Sequence, residues 1–217
     1  MKIAPIKTPL VAKKLFPNYI WDVSTKNKEL YLTFDDGPTP EITTWTLETL
    51  KAYNAKATFF CIGSNIEKYP AIFRDILSQG HLIGNHTQHH VKGWKTKTKD
   101  YLIDIDKAQS IIDQQIKTLN TSHDKLFRPP YGQIKPQQGK KLIELGYKII
   151  MWDVLSFDWE QDISEEKCLE NVISKAKKGS IIVFHDSVKA SKNMKYTLPK
   201  VLEVFSKKGF EFKTLDV

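Results

Sequence analysis

Residues 30–40 read Leu-Tyr-Leu-Thr-Phe-Asp-Asp-Gly-Pro-Thr-Pro. Leu30 to Phe34 is a short aliphatic and aromatic run of the kind that forms a buried strand. It stops abruptly at two carboxylates and a Gly-Pro turn. Side chains alternate along an extended chain, so Asp35 and Asp36 point in different directions and can do two different jobs. Thr39 as a cap, Pro40 at the first helical position and Glu41 near the positive end predict a helix directly afterwards. Strand, acidic loop and helix make a β/α unit, and in parallel α/β folds that loop is where chemistry tends to sit.

The same rhythm runs through the rest of the chain. Helix-like segments end at Asn54, Gly80, Gly146, Gly179 and Gly209, residues suited to the left-handed conformation that closes helices, and an apolar run follows each at once. These runs are Ala57–Ile62, His81–Gly84, Tyr147–Trp152, Ser180–Phe184 and Phe210–Leu215. Lys125–Arg128 is a further strand candidate after a helix-like segment over 100–119, which carries Tyr101, Ile105, Ala108 and Ile112 on one face. Ser64 with Glu67 suggests a capping box, Pro70 a restart or kink, and Ser164 with Glu165 and Glu166 another helix start. About seven β/α units imply an α/β fold with a largely parallel sheet, which a distorted, incomplete barrel suits better than an open sheet. Residues 1–27 read as an N-terminal extension packing on one domain spanning 28–217.

At 217 residues the chain suits one such domain, and no stretch has the roughly 18 apolar residues of a membrane span. The net charge is +8, yet only Arg74 and Arg128 are arginines. Dispersed lysine solubilises; it lacks the bidentate fork favoured for phosphate, so nucleic acid is not an expected partner. Cys61 and Cys168 make no disulfide framework and read as buried or incidental thiols. Lys7, Lys13, Lys14 and two prolines interrupt the apolar core that a secretory leader would need. The expectation is a cytoplasmic location by default, or an extracytoplasmic one if a leader is missing, with a monomer favoured.

In a parallel sheet the carboxyl ends of all strands face one way, which would gather Asp35, Asp36, the stretch His86–His90, Arg128, Asp158 and His185 at one rim. His86 and His90 are four apart; on a helical turn they would share a face and, with a carboxylate, grip one metal while leaving positions open for water and substrate. Each motif alone has a plainer reading: a turn at Asp35-Asp36, a solvated histidine loop, a rigid extended loop at Arg128-Pro-Pro-Tyr-Gly132, a core histidine at 185. His89 falls off the shared face and reads as solvent-exposed, while His81 and His123 read as structural or surface histidines.

Taken together, Thr33-Phe-Asp-Asp-Gly-Pro38, His86-Thr-x-x-His90, Arg128-Pro-Pro-Tyr-Gly132, Asp158-Trp159 and Val183-x-His185 resemble the polysaccharide deacetylases of carbohydrate esterase family four, the NodB-homology domain. The resemblance covers about residues 28–217 and implies a distorted seven-stranded β/α barrel removing acetyl groups from sugars. It implies that Asp36, His86 and His90 hold one divalent ion, most simply Zn2+. Asp35 would take a proton from water with Arg128 as its charge partner, and the backbone N–H of Tyr131 would meet the oxyanion. His185, oriented by Asp158, would protonate the departing amine. Pro129, Tyr131, Trp159 and Val183 would contact substrate, the last two walling the acetyl methyl.

Leu155 and Val183 depart from the usual family pattern of a second aspartate and a leucine, and the lack of an evident leader is a third departure. The expected substrate is an acetylated carbohydrate, with N-acetylglucosamine units of a chitin-like polymer or peptidoglycan foremost. An O-acetyl esterase on xylan, a small-amide hydrolase and a non-catalytic sugar-binding module are the alternatives. An iron oxygenase shares the ligand set, but its usual all-β setting conflicts with the β/α alternation.

Overall fold

The computed structural model describes residues 5–117 and 124–217. Its strands are β1 (Glu29–Asp35), β2 (Ala57–Cys61), β3 (Leu82–Asn85), β4 (Lys125–Phe127), β5 (Tyr147–Ile149), β6 (Val154–Leu155), β7 (Ile181–His185) and β8 (Glu211–Phe212). All pairings between these strands are parallel, in the order β5-β4-β3-β2-β1-β7-β6, with β8 beside the start of β1. The seven strands of that path form the curled, distorted barrel expected.

Two differences in strand reading have simple causes. Val154–Leu155 is too short to give a periodic signal, yet it is the edge strand beside β7. The run 210–215 pairs over only two residues, because β1 already has partners along its remaining length.

Period-two alternation explains the layers. Leu30, Leu32 and Phe34 of β1 join a large apolar cluster with Leu198, Val201 and Phe205, whereas Tyr31 packs on the other face with Phe60, Leu126 and Ile181. Thr33 and Asp35 share Tyr31's face and lie progressively nearer the carboxyl end. The helices are α1 (Leu10–Leu15), α2 (Ile42–Ala52), α3 (Gly63–Lys68), α4 (Pro70–Ser78), α5 (Thr98–Lys117), α6 (Pro136–Glu144), α7 (Glu165–Ile173) and α8 (Ser191–Lys207). The five helix-to-strand joints lie at Asn54, Gly80, Gly146, Gly179 and Gly209, all at positive φ. Pro70 restarts a helix as α4, and the Ser164 hydroxyl accepts a hydrogen bond from the Lys167 amide at 3.2 Å to cap α7.

Two predicted caps are not formed. Glu41 sits at φ 65°, so α2 begins at Ile42 rather than at Thr39-Pro40. Ser64 lies inside α3, whose first amides bond elsewhere, as described below. The predicted continuation of α5 to Leu119, and His123, lie outside the described residues.

Residues 6–22 run across the gap between β5 and β6. Ile20 N–H donates to the Ile149 carbonyl (2.9 Å) and Met151 N–H to the Ile20 carbonyl (2.7 Å), while Leu155 N–H reaches the Ile6 carbonyl (2.9 Å). Lys7 and Lys13 converge on the buried carboxylate of Asp153, at 2.5 and 2.6 Å, and the Ser180 hydroxyl adds a third donor at 2.6 Å. Both cysteines are free and buried. No described helix is long and apolar enough to cross a membrane.

Candidate active site

Parallel register brings the strand ends level: Asp35 pairs with His185 across β1 and β7, and Asn85 with Phe127 across β3 and β4. Arg128 follows β4 and is wholly buried. Its Nη1 donates to Asp35 Oδ1 and to Thr33 Oγ1, both at 2.7 Å, its Nη2 to the Met151 carbonyl (2.8 Å) and its Nε to the Ile150 carbonyl (3.3 Å). The guanidinium carbon lies 4.2 Å from the Phe60 ring centroid. Four acceptors and an aromatic face satisfy a buried cation, and they fix one oxygen of Asp35 in place.

Asp36 lies one residue past the strand at φ 80°, which turns its carboxylate away from that of Asp35. Its Oδ1 is 3.2 Å from His90 Nε2 and 3.7 Å from His86 Nε2. Donor atoms of the three residues all lie within 4.8 Å of one another. His86 Nδ1 is 2.8 Å from the Arg128 carbonyl. A carbonyl only accepts, so Nδ1 carries the hydrogen and the Nε2 lone pair faces Asp36. Burial pushes the His86 imidazole down to about 4, leaving it neutral at pH 7. Burial also pushes the Asp36 carboxyl up, but His90 beside it and the charge of His185 outweigh that and hold it below the usual carboxylate range.

Residues 86–90 are not the helical turn expected from the four-residue spacing. Thr87 (φ 67°) and His90 (φ 54°) both take positive φ, and the two imidazoles converge through a folded loop instead. Asn85 Oδ1 accepts from the Thr87 amide at 2.8 Å, and Asp104 accepts from the amides of Gln88 and His89 at 2.9 and 3.1 Å. The carbonyls of Thr87 and Gln88 in turn accept from the first amides of α3, Gly63 N–H (3.0 Å) and Ser64 N–H (3.1 Å). The histidine loop therefore caps α3, which is why the predicted Ser64–Glu67 capping box is absent; Glu67 instead accepts from the Gln88 side chain at 2.8 Å. His89 is exposed and bonded to Asp104. His81 is buried, accepts the Ala57 amide at 3.2 Å and is structural.

On the opposite side of Asp35, Asp158 holds His185 twice, accepting from its backbone amide (2.7 Å) and meeting its Nδ1 (2.8 Å). Burial would lower the His185 pKa, but the charge and hydrogen bond of Asp158, with Asp36 and Asp35 further off, raise it to about 9. The imidazole is thus protonated at neutral pH, with Nδ1 committed to Asp158 and Nε2 left to carry a transferable proton. Trp159 stands edge-on to this ring at 4.7 Å. Val183, Leu155 and Phe157 form a small buried apolar cluster against which Trp159 and Trp152 pack, so the residue at 155 lines an apolar wall.

The Arg128–Gly132 stretch turns rather than staying extended, forming a 3-10 turn at Pro130–Gly132 with Tyr131 at φ 58°. Pro129 is buried beneath it, and the Tyr131 ring is exposed, 4.6 Å from the His90 ring.

Several residues that support this rim were not among the sequence candidates. Asp186, next to His185, accepts from the Gly37 amide (3.1 Å) and from the Thr43 hydroxyl (2.5 Å), tying the turn after Asp36 to α2. A side chain on Gly37 would collide with that carboxylate, which is the signal its Gly-Pro turn offered. Asn65 donates to the Asp36 carbonyl at 2.8 Å.

A parallel β/α sheet thus gathers two carboxylates, two loop histidines, a buried arginine and a histidine–aspartate pair at one rim, with ligand atoms of Asp36, His86 and His90 close enough to hold one cation. Residues 22–150 match the family model "Polysaccharide deacetylase", and the chain belongs to that family, carbohydrate esterase family four. It is 32% identical to a peptidoglycan-N-acetylglucosamine deacetylase of Bacillus cereus over 95% of this chain and 96% of the relative. It is 34% identical to the peptidoglycan-N-acetylglucosamine deacetylase PgdA of Listeria monocytogenes over 88% of this chain but 38% of that longer protein. Among solved structures, the peptidoglycan N-acetylglucosamine deacetylase Bc1960, in complex with an N-hydroxybenzamide, superposes with a TM-score of 0.86 at 33% identity, covering 96% of this chain and 95% of that one.

Proposed function

We propose that this protein is a divalent-metal-dependent N-deacetylase acting on N-acetylglucosamine units of peptidoglycan or a chitin-like glycan. The single observation that carries the reading is Asp36 Oδ1: it is buried, faces two imidazole Nε2 atoms, and has no hydrogen-bond partner among the described residues. A buried carboxylate oxygen with nothing donating to it asks for a cation, and two imidazoles with one carboxylate suit zinc. An ion held by Asp36, His86 and His90 would supply a Lewis acid that activates water and polarises the acetyl carbonyl.

The chain's own groups do the rest. Asp35, oriented by Arg128, accepts a proton from the attacking water as its oxygen bonds to the acetyl carbon. The Tyr131 backbone amide is the candidate donor to the developing oxyanion. His185 then gives its Nε2 proton to the nitrogen as the C–N bond breaks, releasing acetate and a free amine, while Asp158 keeps the ring in register. Trp159, Val183 and Leu155 offer the acetyl methyl an apolar wall. Peptidoglycan as substrate is supported by the names of the similar proteins. Residues 1–27 are proposed as an N-terminal extension packing on the 28–217 domain, with residues 6–22 bridging the open sheet edge.

Acetate release from a panel of acetylated glycans, before and after chelation and on re-addition of zinc, tests this. Expected is release from N-acetylglucosamine polymers, abolished by chelator and restored by zinc. Undiminished release from thoroughly demetallated protein contradicts the metal role, and release from acetylated xylan alone contradicts the N-deacetylase role.

A further inference from the structure

We infer that α1 is a membrane-docking element, whose outward face of Leu10, Val11, Leu15 and Phe16 with Lys14 seats on an anionic lipid bilayer. In a helix of a globular domain the apolar stripe turns inward. In α1 the order is reversed. Positions 10, 11, 14 and 15 share an arc of about 140° at 3.6 residues per turn. On that arc Leu10, Val11 and Leu15 are 72%, 66% and 68% exposed, and Phe16 at the helix end is 41% exposed. The side chain turned inward is Lys13, which meets Asp153 at 2.6 Å and also bonds Asp22. Of the eleven large apolar side chains exposed among the described residues, four fall within this one short stretch. Exposed apolar residues scattered singly need no explanation, but a cluster marks a surface that meets something.

The helix is not a loose tail. Ahead of it, Thr8 donates to the Asp153 carbonyl through its amide (2.9 Å) and to the Trp152 carbonyl through its hydroxyl (2.7 Å), and behind it Trp21 Nε1–H donates to the Phe16 carbonyl at 3.1 Å. The Asp153 carboxylate that holds Lys13 also accepts from the Ser180 hydroxyl, whose oxygen accepts from the Lys177 amide at 3.0 Å. Lys7 Nζ adds a bond to the Lys175 carbonyl at 3.0 Å. These links fix a basic turn, residues 175–178, beside α1. Lys14, Lys177 and Lys178 are exposed and form no ion pair among the described residues. Apolar side chains bordered by uncompensated ammonium groups match a bilayer interface: the former reach the acyl boundary while the lysines stay among anionic headgroups. A second copy of the chain fits less well. Self-complementary pairing through this face brings two copies of Lys14 together, and four side chains on fewer than two helical turns fall short of the roughly 800 Å² per partner of a stable pair. Asp153 and Ser180 lie at the amino ends of β6 and β7, opposite His185, so a bilayer seated on α1 leaves the reaction rim free.

This inference does not rest on the reaction, and sedimentation of the full chain with lipid vesicles tests it. Phosphatidylcholine vesicles containing about one-third phosphatidylglycerol should bind the protein at least about tenfold more tightly than pure phosphatidylcholine, by a margin that shrinks as salt rises. Leu10→Ser, Val11→Ser and Leu15→Ser together should weaken binding to the anionic vesicles at least about tenfold, with the thermal midpoint of the free protein unchanged because those side chains already face water. Lys14→Glu with Lys178→Glu should weaken it at least about tenfold and remove the preference for anionic lipid. This second variant keeps the apolar side chains, so it tests the face even where the serine variant melts early. Binding of the parent to neither vesicle, or equally to both, overturns the anionic-lipid assignment. Binding within about twofold of the parent overturns the role of α1 in the serine variant and that of the lysines in the glutamate variant. A concentration-dependent dimer of the parent that the serine variant loses, seen by analytical ultracentrifugation, gives the face to a second copy and overturns the proposal.

Discussion

Asp153 and Asp36 are both aspartates with buried carboxylate oxygens, and their surroundings differ in one respect. Asp153 is saturated: Lys7, Lys13 and Ser180 all donate to it, and together they hold its carboxyl below the usual range against the upward push of burial. Asp36 also stays ionised, but its Oδ1 faces imidazole nitrogens and no described donor. A buried charge persists only when it is paired. At Asp153 the chain supplies the pairing, so that site closes the fold between β5 and β6. At Asp36 the pairing is incomplete, so that site is built to receive something.

Exchanging the two carboxylates for amides should separate these roles. Asp36→Asn is expected to lower acetate release about 10³-fold or more, the equivalent of several kcal/mol of charge stabilisation, with the metal-free thermal midpoint unchanged or higher. Asp153→Asn should do the reverse. It leaves Lys7 without its carboxylate and Lys13 with Asp22 alone, and denaturant titration should show a loss of about 3–5 kcal/mol with turnover per folded molecule little changed. If Asp36→Asn destabilises and Asp153→Asn inactivates, the comparison is inverted and the account fails.

Asp35→Asn sharpens the contrast within the rim: a lost general base should cost at least about a hundredfold in kcat, measured by acetate release at saturating glycan. For His185, NMR titration of the metal-free protein should place the imidazole near 9, and Asp158→Asn should bring it back to about 6.5 or below. The sign follows from the raised value. The His185–Asp158 pair contributes its full stability below about pH 6.5 and loses it as the pH rises through about 9. The smallest effect belongs to a place remote from chemistry: Ser164→Ala removes the α7 cap and should cost about 1 kcal/mol in chemical denaturation, leaving kcat unaltered.

The parts of this architecture that depend on local chemistry were legible in the chain. Positive φ at Asn54, Gly80, Gly146, Gly179 and Gly209 follows from residue type, and those joints set the β/α order and hence the rim. Asp35, Asp36, His86, His90, Arg128, Asp158 and His185 meet there because parallel strands end together. What depends on distant partners was not legible. The histidine spacing suggested a helical turn, but Asn85, Asp104 and the first amides of α3 fold that loop another way. Thr39 and Ser64 had the composition of caps, but α2 starts at Ile42 with no side-chain cap and the loop carbonyls take the first amides of α3. Nothing local marks Asp186, and only the proximity of Gly37 and Thr43 reveals what it holds.

Anomalous diffraction at the zinc edge from a crystal soaked in the ion is the most direct measurement of the central claim. The account predicts one strong peak within about 2.0–2.2 Å of a carboxylate oxygen of Asp36 and of Nε2 in both His86 and His90. No peak there in a crystal with those side chains ordered, or a peak only at other residues, would contradict it.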